Sequence, residues 1–157
     1  EEDGSRQKPV VIHRAMLGSL ERFLGVLIEH LSGNFPTWLS PVQVIIIPIT
    51  DKHLDYSYDI YKQFKSKNIR IEVDESSERM NAKIRNAQLR KIPYMFIIGD
   101  NEMTSKTVSV RTRNGKETSS ISRVDILEQV NSEILNRFWC LQFCYLKLPY
   151  YKEGNYG

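Results

Sequence analysis

Cysteine is nearly absent from this chain, with only Cys140 and Cys144 among 157 residues. A spacing of four puts both on one helix face, where a disulfide is geometrically awkward. They read as buried thiols of a reducing compartment, because a metal pair would need further ligands that the neighbouring sequence lacks. Long apolar runs are missing as well, and nothing approaches the roughly 20 residues of a membrane span. The opening Glu1-Glu2-Asp3-Gly4-Ser5 lacks the basic-then-apolar order of a signal peptide. The cytoplasm or an organelle matrix is therefore expected, with no membrane partner. The chain begins without Met, as a processed product or an excised piece would. No glycine-rich phosphate loop of the G-x-G-x-x-G or Walker kind follows the first strong strand signal, which argues against a small-ligand α/β domain of that type. Neither internal repeats nor low-complexity tracts occur.

What is present is an ordinary globular composition, 41% hydrophobic and 26% charged, enough for about one domain and a fragment. The net charge is only +3, but it is unevenly placed. Arg79, Lys83, Arg85, Arg90, Lys91, Lys106, Arg111, Arg113 and Lys116 face only Asp100 and Glu102 over that stretch. The segment carries +7 and leaves −4 for the rest, an asymmetry that suits a polyanion.

Periodicity supplies the elements. Residues 8–12 read as a short buried strand. Ser19 is placed to cap a helix whose Leu20, Phe23, Leu24, Leu27, Ile28 and Leu31 follow the i, i+3, i+4, i+7 pattern, with Gly33 as its stop. Residues 34–41, with two prolines, read as a stiff linker. Val42 to Ile49 is almost wholly apolar and β-branched, as in a strand covered on both faces. Thr50-Asp51 opens a helix with a Tyr56, Ile60, Phe64 stripe. Ile69 to Val73 alternates as a strand. Arg79 to Lys91 reads as a basic helix with Met80, Ile84 and Ala87 inward, ended by Pro93. Tyr94 to Ile98 is a second buried strand, closed by Gly99-Asp100. Thr107 to Thr112 alternates, Asn114-Gly115 signals a hairpin, and Ser122 is placed to cap a last helix carrying Val124, Leu127, Ile134 and Phe138. The expected fold is α/β, a mixed and mostly parallel sheet of about five strands flanked by helices, preceded by a strand–helix piece.

Two adjacent segments add a resemblance. His13-Arg14-Ala15-Met16-Leu17-Gly18-Ser19-Leu20-Glu21-Arg22-Phe23 resembles motif 3 of class II aminoacyl-tRNA synthetases in the form found in threonyl-tRNA synthetases. Phe35-Pro36-Thr37-Trp38-Leu39-Ser40-Pro41-Val42-Gln43-Val44 is similar to that family's junction into its anticodon-binding domain. The likeness spans roughly residues 9–137. It implies a remnant of the aminoacylation domain over 1–33, a linker over 34–41, an anticodon-binding domain over 42–138, and an aromatic tail over 139–157 for which it gives no account. It further implies an ATP-dependent ligase for threonine and its tRNA, homodimeric through a catalytic domain that lies outside this chain. Arg22 takes the place of the motif-3 arginine that contacts ATP with its Mg. His13 takes the place of one of three ligands to a catalytic zinc, whose open position can hold the amino and hydroxyl groups of threonine.

The same resemblance assigns an RNA-reading surface. RNA loops are recognised through splayed bases that present their Watson–Crick edges, and threonine anticodons offer guanine and then uracil. A carboxylate accepts from the guanine N1–H and N2–H₂ together, and an arginine donates to base carbonyls or phosphate. Glu102 and Arg111 match the family's base-reading acid and arginine. Ser77 stands where an Asn is frequent, and Lys91 where an Arg is frequent; serine loses the paired donor and acceptor of the amide, and lysine loses the planar fork. Lys83 and Arg85 read as phosphate contacts that position RNA without specifying it. These departures leave one alternative, a stand-alone interaction module or accessory subunit without catalysis. Prolyl- and histidyl-type synthetases fit less well, because their motif-3 segments differ.

The upstream zinc ligands and motifs 1 and 2 lie outside the chain, and neither His30 nor His53 stands in metal-like spacing with His13. The isolated chain is therefore expected to need no cofactor, to form no threonyl-adenylate, and to take up zinc weakly or not at all. Calorimetric titration that found a tight one-to-one zinc site would overturn that expectation.

Overall fold

The computed structural model describes residues 10–12, 14 and 18–137, in two compact units that divide between Asn34 and Phe35. The first contains α1 (Leu20–Leu31), started by Ser19, whose hydroxyl accepts from the Arg22 N–H at 3.2 Å. Its last residue, Leu31, is followed by the cap Ser32 and then by Gly33, the expected stop. Ser32 (φ 49°) and Gly33 (φ 74°) are both left-handed, and their N–H groups donate to the Glu29 and Ile28 carbonyls, which satisfies two otherwise orphaned acceptors. The strand expected over 8–12 is not found in its described part. Val10, Val11 and Ile12 carry no strand pairing, and Val11 is 82% exposed. Apolar residues alone do not make a strand; they need a neighbouring ladder to take up their N–H and C=O groups. Leu20, Leu24 and Ile28 of α1 are also exposed.

The second unit is built on a five-stranded sheet of order β2-β1-β3-β4-β5. Its strands are β1 (Val44–Pro48), β2 (Ile71–Val73), β3 (Tyr94–Ile98), β4 (Thr107–Thr112) and β5 (Glu117–Ser122). β1 pairs in parallel with β2 and β3, while β3–β4 and β4–β5 are antiparallel. The sheet is mixed as expected, but half of its pairings are antiparallel, not a minority. The reason is a short helix where a turn is expected: α4 (Asp100–Ser105) reverses the chain directly after β3. The β4–β5 hairpin turns at Gly115, whose φ of 81° suits glycine.

β1 is buried along its whole length, so both sheet faces need cover. On one face Val44 and Ile46 meet Ile60 and Phe64 from α2 (Leu54–Lys65), together with Ile126 and Val130 from α5 (Arg123–Leu135). Phe64 and Phe96 pack edge to face there, with ring centroids 5.3 Å apart. On the other face Ile45, Ile47 and Met95 meet Ile84 and Ala87 from α3 (Met80–Leu89). Ser122 caps α5 as expected, but the inward stripe runs through Ile126, Leu127 and Val130, and Val124 is 54% exposed. Phe138, the cysteines and the aromatic tail lie outside the described residues.

Residues 35–41 are stitched to the sheet unit. The Gln43 side chain donates to the Thr37 carbonyl and accepts from the Arg70 N–H. Arg113 donates to the Phe35 carbonyl at 2.7 Å. Glu133 of α5 accepts from the Thr37 hydroxyl (3.0 Å) and the Tyr94 hydroxyl (2.6 Å).

Phe96 is fully buried between two covered faces. Phe96→Ala is expected to cost about 3–5 kcal/mol, read as a lower urea midpoint at unchanged slope.

Candidate nucleic-acid interface

Because β1, β2 and β3 run parallel, their C-terminal ends gather three connections at one edge, residues 49–53, 74–79 and 99–102. The chain leaves β1 toward one face and β2 toward the other, which opens the crevice where α/β sheets bind ligands.

Glu102 is the third residue of α4. One carboxylate oxygen accepts from the Gly99 N–H at 3.0 Å and the other from the Ser109 hydroxyl of β4 at 2.7 Å. The first bond satisfies an orphan donor at the helix start. Partial burial pushes the carboxyl pKa up. The Ser109 hydroxyl, the backbone N–H groups of Glu102 and Gly99 and the nearby His53 outweigh that, and the net pKa is lowered. The chain passes close here: a Cβ at Gly99 would lie 2.9 Å from Ile49 Cδ1 and 3.1 Å from the Glu102 carboxylate, so the ends of both side chains would have to shift. Buried His53 fixes the same helix start. Its Nδ1 accepts from the Thr50 N–H at 3.3 Å, so Nε2 carries the proton that it donates to Asp100 Oδ1 at 3.0 Å. The carboxylate is held still, yet it retains acceptor capacity beyond the two bonds to other residues.

Arg111 lies two residues beyond Ser109 on β4, so both side chains leave the same sheet face. Its Nη1 donates to Glu117, directly opposite on β5. Its Nε is buried and has no hydrogen-bond partner among the described residues. An unmet buried donor of this kind costs about 1–3 kcal/mol, while the rest of the guanidinium is partly exposed.

The other assigned residues spread along α3. Ser77 is exposed in the loop before it. Lys91 follows it in a left-handed conformation (φ 57°), with its N–H donating to the Gln88 carbonyl. The ten-residue helix between them is about 15 Å long. Arg85 is exposed on α3, as a phosphate contact requires. Lys83 is not the solvated phosphate contact expected of it: it is 5% exposed and does not stand on a solvated face. Its ammonium donates to the Asp74 carbonyl at 3.1 Å and the Pro48 carbonyl at 3.5 Å. The signal was in the spacing: Met80, Lys83, Ile84 and Ala87 together form one i, i+3, i+4, i+7 stripe. Arg90, paired with Glu72 at 2.7 Å, and Arg113 are also engaged internally, so the segment's positive charge is less free than its composition implies.

Arg22 is exposed in the first turn of α1. His13 lies outside the described residues, and among the described residues no three His, Cys, Asp or Glu side chains could hold a metal ion. No described helix is long and apolar enough to cross a membrane.

A lowered Glu102 pKa means that ionisation stabilises the fold above the ordinary value of 4.5 and that this contribution is lost as pH falls through the lowered value. Thermal melts of Glu102→Gln against the parent chain should differ by a constant amount above pH 5, worth roughly 0.3–1 kcal/mol. The two curves should converge in more acidic buffer.

Comparison with known proteins fits this geometry. Residues 43–133 match the family described as "Anticodon binding domain". The chain is 49% identical over 133 residues to a threonine–tRNA ligase of Natranaerobius thermophilus, covering 85% of this chain and 21% of that protein. It is 48% identical over 136 residues to one of Borreliella burgdorferi, covering 87% and 23%. A crystal structure of the RNA binding domain of threonyl-tRNA synthetase from Cryptosporidium parvum superposes with a TM-score of 0.70 at 34% identity, over 76% of this chain and 30% of that one. The chain spans about a fifth of the length of the curated relatives it matches. With the five-stranded sheet and its flanking helices in place, the match over 43–133 identifies the chain as a member of the anticodon-binding domain family.

Proposed function

We propose that this chain is the C-terminal, anticodon-reading part of a threonine–tRNA ligase and that its ligand is the anticodon loop of threonine tRNA. The supporting observation is the placement, on one sheet face, of a fixed carboxylate at Glu102 and a partly exposed guanidinium at Arg111. A splayed guanine presents N1–H and N2–H₂ to the carboxylate, and an adjacent base carbonyl or phosphate meets the guanidinium. Ser77 lies at the same loop edge as Glu102, Lys91 stands at the far end of α3 beside the start of β3, and Arg85 neutralises the RNA backbone.

In the complete enzyme, threonine would be joined to its tRNA with ATP and Mg, and Arg22 would contact the nucleotide. Zinc would supply a Lewis-acid site for the substrate's amino and hydroxyl groups, with His13 as one ligand. The partners are threonine tRNA and the rest of a homodimeric synthetase, in the cytoplasm or an organelle matrix. The chain by itself is inactive in this reading, since the groups that activate the α-phosphate lie outside it.

Filter binding to a threonine anticodon stem-loop tests the reading. Glu102→Ala should weaken binding by about 1–3 kcal/mol and relax the preference for guanine at the second anticodon base. Arg85→Ala should weaken all loops alike and lower the salt slope by about one. Equal affinity of the parent chain for loops with and without that guanine would overturn the proposal.

A further inference from the structure

β2 forms one edge of the sheet, with β1 as its single strand partner. The Arg70 carbonyl accepts from the Val44 N–H, and the Asp74 N–H donates to the Ile46 carbonyl. Main-chain groups alternate in direction along a paired strand. The N–H and C=O of Ile71 and Val73 therefore point away from the sheet, and they meet no hydrogen-bond partner among the described residues. Together they present a short open ladder to which an extended chain can add.

A cavity of about 550 Å³ opens between this strand and α3. Part of its lining is apolar. Ile45 and Ala87 are buried, and Leu89 at the end of α3 is 70% exposed, a large aliphatic surface left without cover. The rest is charged: Glu72, Asp74, Glu75 and Glu78 stand against Arg90, a net −3. Glu72 pairs with Arg90 at 2.7 Å. The other three keep their charge, since their partners Ser76, Tyr58 and Asn86 are neutral. A negative wall of this kind repels the RNA backbone and favours a cationic chain.

We propose that the β2 edge and this cavity form a docking site for an extended, basic segment of a partner protein, which adds to the sheet as a further strand beside β2. Its main chain pairs with Ile71 and Val73. Side chains alternate along a strand, so every second residue of the segment faces the cavity. An aliphatic residue there covers Leu89 and Ala87. Lys or Arg two positions to either side of it meets the carboxylates of Glu72, Glu75 and Glu78. The pattern recognised is therefore basic, any residue, aliphatic, any residue, basic. The edge lies on the far side of β1 and β3 from β4 and Arg111, and the inference does not depend on the anticodon reading.

Panning the whole chain against a phage-displayed library of random heptapeptides tests the site, and the expected consensus is an aliphatic residue with Lys or Arg two positions away. The capped peptide Ac-Ser-Lys-Thr-Leu-Thr-Lys-Ser-NH₂, which has that pattern, then serves as a labelled probe in anisotropy titrations. N-methylation of its Lys and Leu amides, or instead of its two Thr amides, should give opposite results. One set removes the bonds to β2 and weakens binding about tenfold, and the other leaves it within about twofold. Glu72→Lys and Leu89→Ser, both at exposed positions, should each weaken the probe about fivefold. A library without the basic–aliphatic pattern, equal tolerance of the two methylated sets, or full affinity in both variants would overturn the proposal. RNA in this groove predicts the opposite sign: Glu72→Lys would tighten a threonine anticodon stem-loop and spare the probe, and that result too would refute a peptide site. Should either variant fail to fold, the methylated peptides decide on the parent chain.

Discussion

The constraint on which the rest depends is the complete burial of β1. Val44 to Pro48 has no wet face, so helices must cover both sides of the sheet, and the crossovers that bring them there make β1 parallel to both neighbours. Parallel strands end together. The loops after β1, β2 and β3 consequently share one edge, and His53, Ser77 and Glu102 arrive there without being close in sequence.

That edge is ordered by polar bonds, not by packing. α4 is a polar helix of six residues, too short to hold by itself. It is held by Glu102 on Gly99 and Ser109, and by His53 on Asp100. The groups that define the surface are thus also the groups that fold it. A carboxylate restrained in this way loses little freedom when a base arrives, and preorganisation of that kind favours affinity.

Much of the architecture was legible because its causes are local. The runs that became β1 and β3 are apolar over their whole length, the Phe64 stripe has helical period, and Asn114-Gly115 marks its own turn. What escaped depends on partners distant in sequence. Residues 10–12 had a strand's composition without a ladder to join. α4 had no stripe, since its stability comes from Gly99, Ser109 and His53. Lys83 sat on the inner stripe of α3, but its residue type argued for the surface, and its carbonyl partners at 48 and 74 belong to other elements. Of the interface, Glu102 and Arg111 were found through resemblance. Their restraint by Ser109 and Glu117 became visible only once the register of β4 against β5 and α4 was known.

The grip of Glu133 on Thr37 and Tyr94 bears on how distance is set in this molecule. It clamps the incoming segment at the end of the sheet where β1 and β3 begin, while the loops that face RNA lie where those strands finish. Five residues of extended chain separate the two ends, about 17 Å. The sheet therefore acts as a rigid ruler between whatever pulls on residue 35 and whatever is held at Glu102. Its gauge is fixed by strand length, which no loop insertion can alter.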